Sequence, residues 1–211
     1  MAKVTLIDSK KRLYVIRHGT TSLDPMKRSD GFIDLPLSEA GQQGTVEVIN
    51  KLKRADIACI YSGTLKRHKE TAHILKSGFP TCKEITHDER ANTWNLGLNA
   101  GNPKKPNKPI VEHLMANPTL VPEGGDSYRK FGDRLWSFMK ERFAEARRGE
   151  GPQAIVLSGS GCRYISDRLL GNKEILDIDE DGCFVLYPTG KTAFGAQVLW
   201  GHKSAEDENF S

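Results

Sequence analysis

Three short apolar runs constrain this chain more than anything else in it. They are Leu13-Tyr14-Val15-Ile16, the stretch Ile57 to Tyr61, and Ala154-Ile155-Val156-Leu157. Each is rich in β-branched or aromatic residues, and each stops at a turn of small or charged residues. Each is then followed, directly or after a loop, by a stretch with helical periodicity. Buried strands alternating with amphipathic helices predict an α/β fold, layered on a largely parallel central sheet.

The helices can be placed from their caps and apolar faces. Ser38 is positioned to cap a helix whose face is Val46, Ile49 and Leu52, running through Lys53. After Ser62-Gly63-Thr64 a second helix runs through Leu75, with Arg67 in its first turn. A third short strand is expected over Lys83 to Thr86. The long face Phe131, Leu135, Phe138, Met139 and Phe143 predicts a helix over Asp126 to Arg148. Another follows Ser158-Gly159-Ser160-Gly161 through Leu170, and late strands are expected over Cys183 to Tyr187 and Ala193 to Leu199. With 211 residues this is read as one domain over residues 1–211, carrying a lid or insertion at about 92–122. Within that lid, the stretch Asn99 to Pro109 is expected to be too proline-rich for a continuous helix. The polar tail after His202 is expected to be frayed.

Composition narrows the class. The formal net charge is +4, and cations and acids are interleaved along the chain, so a nucleic-acid partner is not expected. No apolar run approaches membrane-spanning length, so no membrane partner is expected either. Cys59, Cys82, Cys162 and Cys183 are scattered without a CxxC pair, and the first eight residues lack a signal-peptide core. The expectation is a soluble cytoplasmic protein with reduced thiols and neither a zinc site nor a disulfide frame.

The chemistry is concentrated where the first strand ends, at Arg17-His18-Gly19. Ligands of open α/β sheets bind at the carboxyl ends of strands. There an arginine offers a planar fork of donors to phosphate oxygens, and a histidine can act as nucleophile. A glycine lets the backbone approach a ligand closely. Together they point to phosphoryl transfer through a phosphohistidine.

Further segments extend this into a resemblance. Asp34 to Gly41 is one, and Tyr61-Ser62-Gly63-Thr64-Leu65-Lys66-Arg67 with Glu70-Thr71-Ala72 is another. Asp88-Glu89 with Trp94 to Gly97, and Pro122 to Ser127, complete the set. In this order, with Arg17-His18-Gly19 and Thr21, they resemble the histidine phosphatase superfamily that contains cofactor-dependent phosphoglycerate mutase. The resemblance implies a three-layer α/β/α sandwich and a small phosphorylated substrate, with no cofactor and no metal; oligomeric state is left open. It implies that His18 attacks phosphorus, and that Arg17 and Arg67 neutralise the equatorial oxygens. Glu89 would pass the proton, while the hydroxyls of Thr21 and Ser160 would be further phosphate donors.

There are departures. Thr93 stands where the acid motif usually has glycine, and Asp24 where many members have asparagine. Most important, Gly159 occupies the position of the family's second catalytic histidine. Three explanations stay open: an inactivated variant, a degenerate member that binds without turnover, or replacement by another donor. Candidates for that donor are Ser160, His68, His73, His87 and His113. The activity expected is metal-independent hydrolysis of a phosphomonoester, with Gly159 leaving open whether this chain keeps it, rather than mutase chemistry, since the long insertions and tail of the mutases are missing. The alternatives are a silent protein that sequesters a phosphorylated metabolite or nucleotide, and a phosphoglycerate-type mutase. Lys104, Lys105 and Lys108 in the lid are read as a solvated face, with recognition of a polyanion as the rival reading.

Overall fold

The computed structural model describes residues 8–171 and 178–202, so the expectation for the tail after His202 lies outside the described residues. Six strands form one sheet: β1 (Leu13–Arg17), β2 (Cys59–Ser62), β3 (Glu84–His87), β4 (Gln153–Leu157), β5 (Ile178–Pro188) and β6 (Phe194–His202). Their order is β3-β2-β4-β1-β5-β6, with β5 running antiparallel to both of its neighbours and the other pairings parallel. The helices are α1 (Glu39–Leu52), α2 (Lys66–Gly78), α3 (Lys104–Ala116), α4 (Tyr128–Arg148) and α5 (Gly159–Leu170).

Strand alternation assigns the two faces. On one face Leu13, Val15, Ile155, Leu157 and Phe184 pack on Phe131, Leu135 and Phe138 of α4 and Ile165 of α5. On the other, Tyr14, Ile16, Ala154, Val156 and Val185 pack on Val48 and Leu52 of α1 and Ala72 and Leu75 of α2. The result is a three-layer α/β/α sandwich. Each such fully buried aliphatic or aromatic side chain contributes roughly 1.5–3 kcal/mol, which is what holds the central strands in register.

That register aligns the chemistry. Arg17 pairs with Leu157, while Ser62 pairs with both Val156 and His87. The carboxyl ends of β1, β4, β2 and β3 therefore lie along one edge, from which His18, Ser158, Gly63 and Asp88 emerge. The edge is continued by backbone bonds from His18 N to Leu157 O (2.9 Å) and from Asp88 N to Ser62 O (2.9 Å). Because β5 is antiparallel, its first residues, Ile178 to Glu180, begin at this same edge.

Gly19 allows the chain to leave β1 sharply. A Cβ on it would lie 2.5 Å from the Gly41 carbonyl oxygen, so α1 can press against the turn only because that atom is missing. Ser38 caps α1 as expected, its Oγ accepting from Gly41 N at 3.1 Å.

Several expectations change. Val46, expected on the apolar face of α1, is exposed, and Val48 packs on the sheet instead. β5 begins at Ile178, ahead of the expected Cys183, and β6 runs on to His202. The second strand starts at Cys59, with Ile57 and Ala58 leading into it. The proline-rich part of the lid does form a helix, α3. Pro103 sits at its N-cap and Pro106 in its first turn, where an N–H has no partner within the helix, so only Pro109 removes an internal bond. The helix is anchored by Leu114 and by buried Asn107, whose Nδ2 donates to Asn99 O at 3.2 Å.

Candidate active site

His18 is 4 % exposed, and its orientation is fixed by its neighbours. Its Nδ1 lies 2.9 Å from the Gly19 carbonyl oxygen. Since a carbonyl can only accept, Nδ1 carries the proton and Nε2 presents its lone pair. Arg67 Nε donates to that lone pair at 3.2 Å. Burial first, then the charges of Arg67 and Arg17, hold the His18 pKa well below the usual imidazole value. The imidazole is therefore neutral, as a nucleophile must be.

Arg67 is 1 % exposed on the first turn of α2, and protein acceptors surround it. Its Nη1 and Nη2 donate to the carbonyls of Ile33 and Gly31, both at 2.8 Å, and Asp30 lies 3.6 Å from Nε. The segment Asp34 to Gly41 supports this placement. Asp34 Oδ1 accepts from Lys66 N at 2.6 Å, capping α2, and Glu70 Oε2 accepts from Leu37 N at 2.7 Å.

Arg17 turns toward β5. Its Nη1 donates to Ile178 O at 2.7 Å, its Nη2 is ion-paired with Glu180, and its buried Nε has no partner among the described residues. Gly159 lies directly beside it: a Cβ there would be 3.3 Å from Arg17 Cζ. At the start of α3, Lys104 Nζ lies 2.9 Å from Asp24 Oδ1 and 3.7 Å from Glu180 Oε1. Lys104 is exposed, as are Lys105 and Lys108, in keeping with the solvated reading, yet its ammonium also bridges two acids at the site. Asp24 also accepts from Thr21 N at 2.8 Å. Although burial opposes it, the Thr21 and Lys104 bonds hold its pKa below the usual carboxylate value.

The remaining residues expected at the site are engaged differently. The Thr21 hydroxyl lies 2.8 Å from Asp30 Oδ1 and 3.2 Å from Asp24 Oδ2, so its single proton serves the loop. Ser160 Oγ is 2.9 Å from both Thr93 Oγ1 and Ser158 Oγ and accepts from Trp94 N at 3.3 Å. That network fastens the acid motif to the start of α5, and it gives the Thr93 departure a structural use. Glu89 follows β3 in a short 3-10 turn and is exposed, with no hydrogen bond or ion pair to its carboxylate among the described residues.

Two site residues escaped the sequence reading. Arg134 of α4 holds the Glu89 turn by donating to the carbonyls of Glu89, Arg90, Asn92 and Thr93 at 2.7–3.0 Å. Its only trace in sequence is a cation within an apolar-faced helix. Glu180, the partner of Arg17, sits in an acidic stretch that reads as ordinary surface.

A buried histidine flanked by two arginines at the carboxyl edge of a parallel sheet agrees with the sequence match. Residues 13–178 match the histidine phosphatase superfamily (branch 1). The chain belongs to that superfamily. Among curated relatives it is 30% identical to phosphoglycerate mutase-like protein 4 of Arabidopsis thaliana, over 74% of this chain and 70% of the relative. It is also 30% identical to a metal-independent phosphoserine phosphatase of the same plant, over 71% of this chain and 64% of the relative. Among solved structures, a mycobacterial glucosyl-3-phosphoglycerate phosphatase has a TM-score of 0.73 at 21% identity, covering 91% of this chain and 99% of its own. A phosphoglycerate mutase from Bacillus anthracis reaches 0.75 at 20%, covering 89% and 92%. At those identities the two structures establish the fold, which is phosphoglycerate mutase-like. No helix among the described residues is long and apolar enough to cross a membrane.

Proposed function

We propose that this histidine phosphatase superfamily member is a metal-independent phosphomonoesterase acting on a small phosphorylated metabolite through phospho-His18. The observation that carries the reading is the His18 imidazole: neutral, pinned through Nδ1, and with its Nε2 lone pair next to Arg67. In the first step Nε2 attacks phosphorus, the P–O ester bond breaks, and Glu89 gives its proton to the departing oxygen. In the second, water attacks phosphorus, the P–N bond breaks, and Glu89 takes the proton back. Arg67 and Arg17 carry the charge that builds on the phosphoryl oxygens, once each is released from its present acceptors. A curated relative named as a metal-independent phosphoserine phosphatase is in keeping with hydrolysis, while phosphoglycerate mutase-like protein 4 leaves the mutase as the alternative reading. The four free thiols are what a cytoplasmic protein would carry.

A specific observation favours the silent-binder alternative. Gly159 supplies no second imidazole, and Glu180 holds Arg17. Losing one transition-state donor costs about two to three orders of magnitude in rate. The test is phosphate release from a panel of phosphomonoesters by this chain, Gly159→His and, as a size control, Gly159→Ala. A new Cβ requires the Arg17 guanidinium to give a few tenths of an ångström at the 3.3 Å contact. Turnover by Gly159→His above both others is the expected result. Tight stoichiometric binding with no release by any of them would place the protein among sequestering proteins.

A further inference from the structure

His68 follows Arg67 on α2 and is fully buried, yet neither of its ring nitrogens has a hydrogen-bond partner among the described residues. A buried imidazole left unpaired is costly, and such groups call for an explanation. Its ring lies against that of His18, with centroids 5.3 Å apart and planes tilted by 35°. Burial, then His18 and Arg67, hold it neutral, so one nitrogen carries a proton that it can donate.

The other replacement candidates are committed elsewhere. Ser160 is held by Thr93, Ser158 and Trp94. His73 Nδ1 donates to Lys69 O, His87 Nδ1 is hydrogen-bonded to Ser62 Oγ with its ring 5.5 Å from that of His73, and His113 is exposed on α3. His68 also depends on the glycine that follows β2. A Cβ on Gly63 would lie 2.2 Å from His68 Nδ1, so the ring fits only beside a glycine. Deep burial does not separate His68 from the chemistry, because His18 and Arg67 are 4 % and 1 % exposed in the same cluster.

We propose that His68 supplies the second imidazole of this site, donating from α2 to the oxygens of a phosphoryl group carried on His18. This rests on the phosphohistidine reading above. The N–H that the family presents at position 159 would here be presented across the His18 ring, beside Arg67, and no atom outside the chain is needed.

The experiment compares the unchanged chain, His68→Phe, His68→Gln and Gly159→His. Orthovanadate is the binding probe, p-nitrophenyl phosphate the substrate, and nitrogen-detected histidine NMR the direct readout. The expected result is a shift of the His68 ring signals on vanadate addition. His68→Phe, which keeps a ring without N–H, should lose about tenfold to a hundredfold in vanadate affinity and in kcat. His68→Gln, which keeps a donor, should recover part of both. Unchanged binding and kcat in His68→Phe overturn the proposal. If His68→Phe does not fold, His68 signals unmoved by saturating vanadate in the unchanged chain overturn it. Should only Gly159→His bind vanadate and turn over, the phosphatase reading stands and the role of His68 falls. Should Gly159→His also do neither, both fall.

Discussion

The Glu180 carboxylate pairs with Arg17, one of the two guanidinium groups proposed to take up phosphate, and Glu180→Gln tests whether the acid competes. The Arg17 and Glu180 side chains are 13 % and 18 % exposed, so solvent screens the pair only in part. A hydrogen bond to a charged group nets about 1.5–3 kcal/mol. At about 1.4 kcal/mol per tenfold, neutralising Glu180 should tighten inorganic phosphate or vanadate binding by roughly tenfold to a hundredfold. Lys104, 3.7 Å from the same carboxylate, would also lose a competing acid and add to the attraction. The assay is calorimetric titration at fixed ionic strength, with Glu150→Gln as control, because Glu150 pairs only with Arg148 on an exposed surface. Unchanged or weaker binding in Glu180→Gln, with the control behaving as the parent, would refute the idea that this carboxylate competes with substrate.

Other outcomes follow from the same geometry. Arg134→Lys cannot reach all four carbonyls around Glu89; it should cost about 2–3 kcal/mol in urea unfolding and slow any turnover by Gly159→His without weakening vanadate binding. Gly63→Ala places a methyl 2.2 Å from His68 Nδ1 and 2.5 Å from Asn92 Oδ1, and should destabilise by about 1–3 kcal/mol in the same measurement. His68 has its pKa well below 6.5 in the fold, so the unfolded chain takes up a proton there first as pH falls. The parent should therefore lose about 1.4 kcal/mol of stability relative to His68→Phe per pH unit below about 6.5, seen by urea titration at several pH values. Burial raises the Asp181 pKa to about 6, so its folded form holds a proton longer and its contribution fades as pH rises from about 4 to 6. Asp181→Asn should flatten that limb.

The strands and α4 were legible because each side chain's exposure follows from periodicity; on α1 the spacing pointed inward at Val46, where Val48 takes the buried place. Leu13 to Ile16 alternate between the two cores, and Ser38 caps where its spacing says it should. His18 and Arg67 were legible because a strand end and a helix start leave a side chain few places to go. What could not be read depended on contacts between residues far apart in sequence. Lys104 reaches Asp24 across the lid, Glu180 reaches Arg17 from β5, and Ser160 is claimed by Thr93. Proline count alone misjudged α3, because the cost of a proline depends on its position in the helix and not on how many there are.

Two glycines beside the nucleophile illustrate how the scaffold and its chemistry can vary apart. Gly19 belongs to the architecture: any larger residue would drive α1 off the sheet through the Gly41 carbonyl. Gly159 does not. The start of α5 is secured by its neighbour, since Ser158 Oγ accepts from Gly161 N at 3.4 Å, and the side chain at 159 takes no part in that. A side chain at position 159 therefore asks only the Arg17 guanidinium to give by a few tenths of an ångström, and leaves the backbone of the sheet and helix as it is. Chemistry at that position can change while the sheet and both helix layers stay in place.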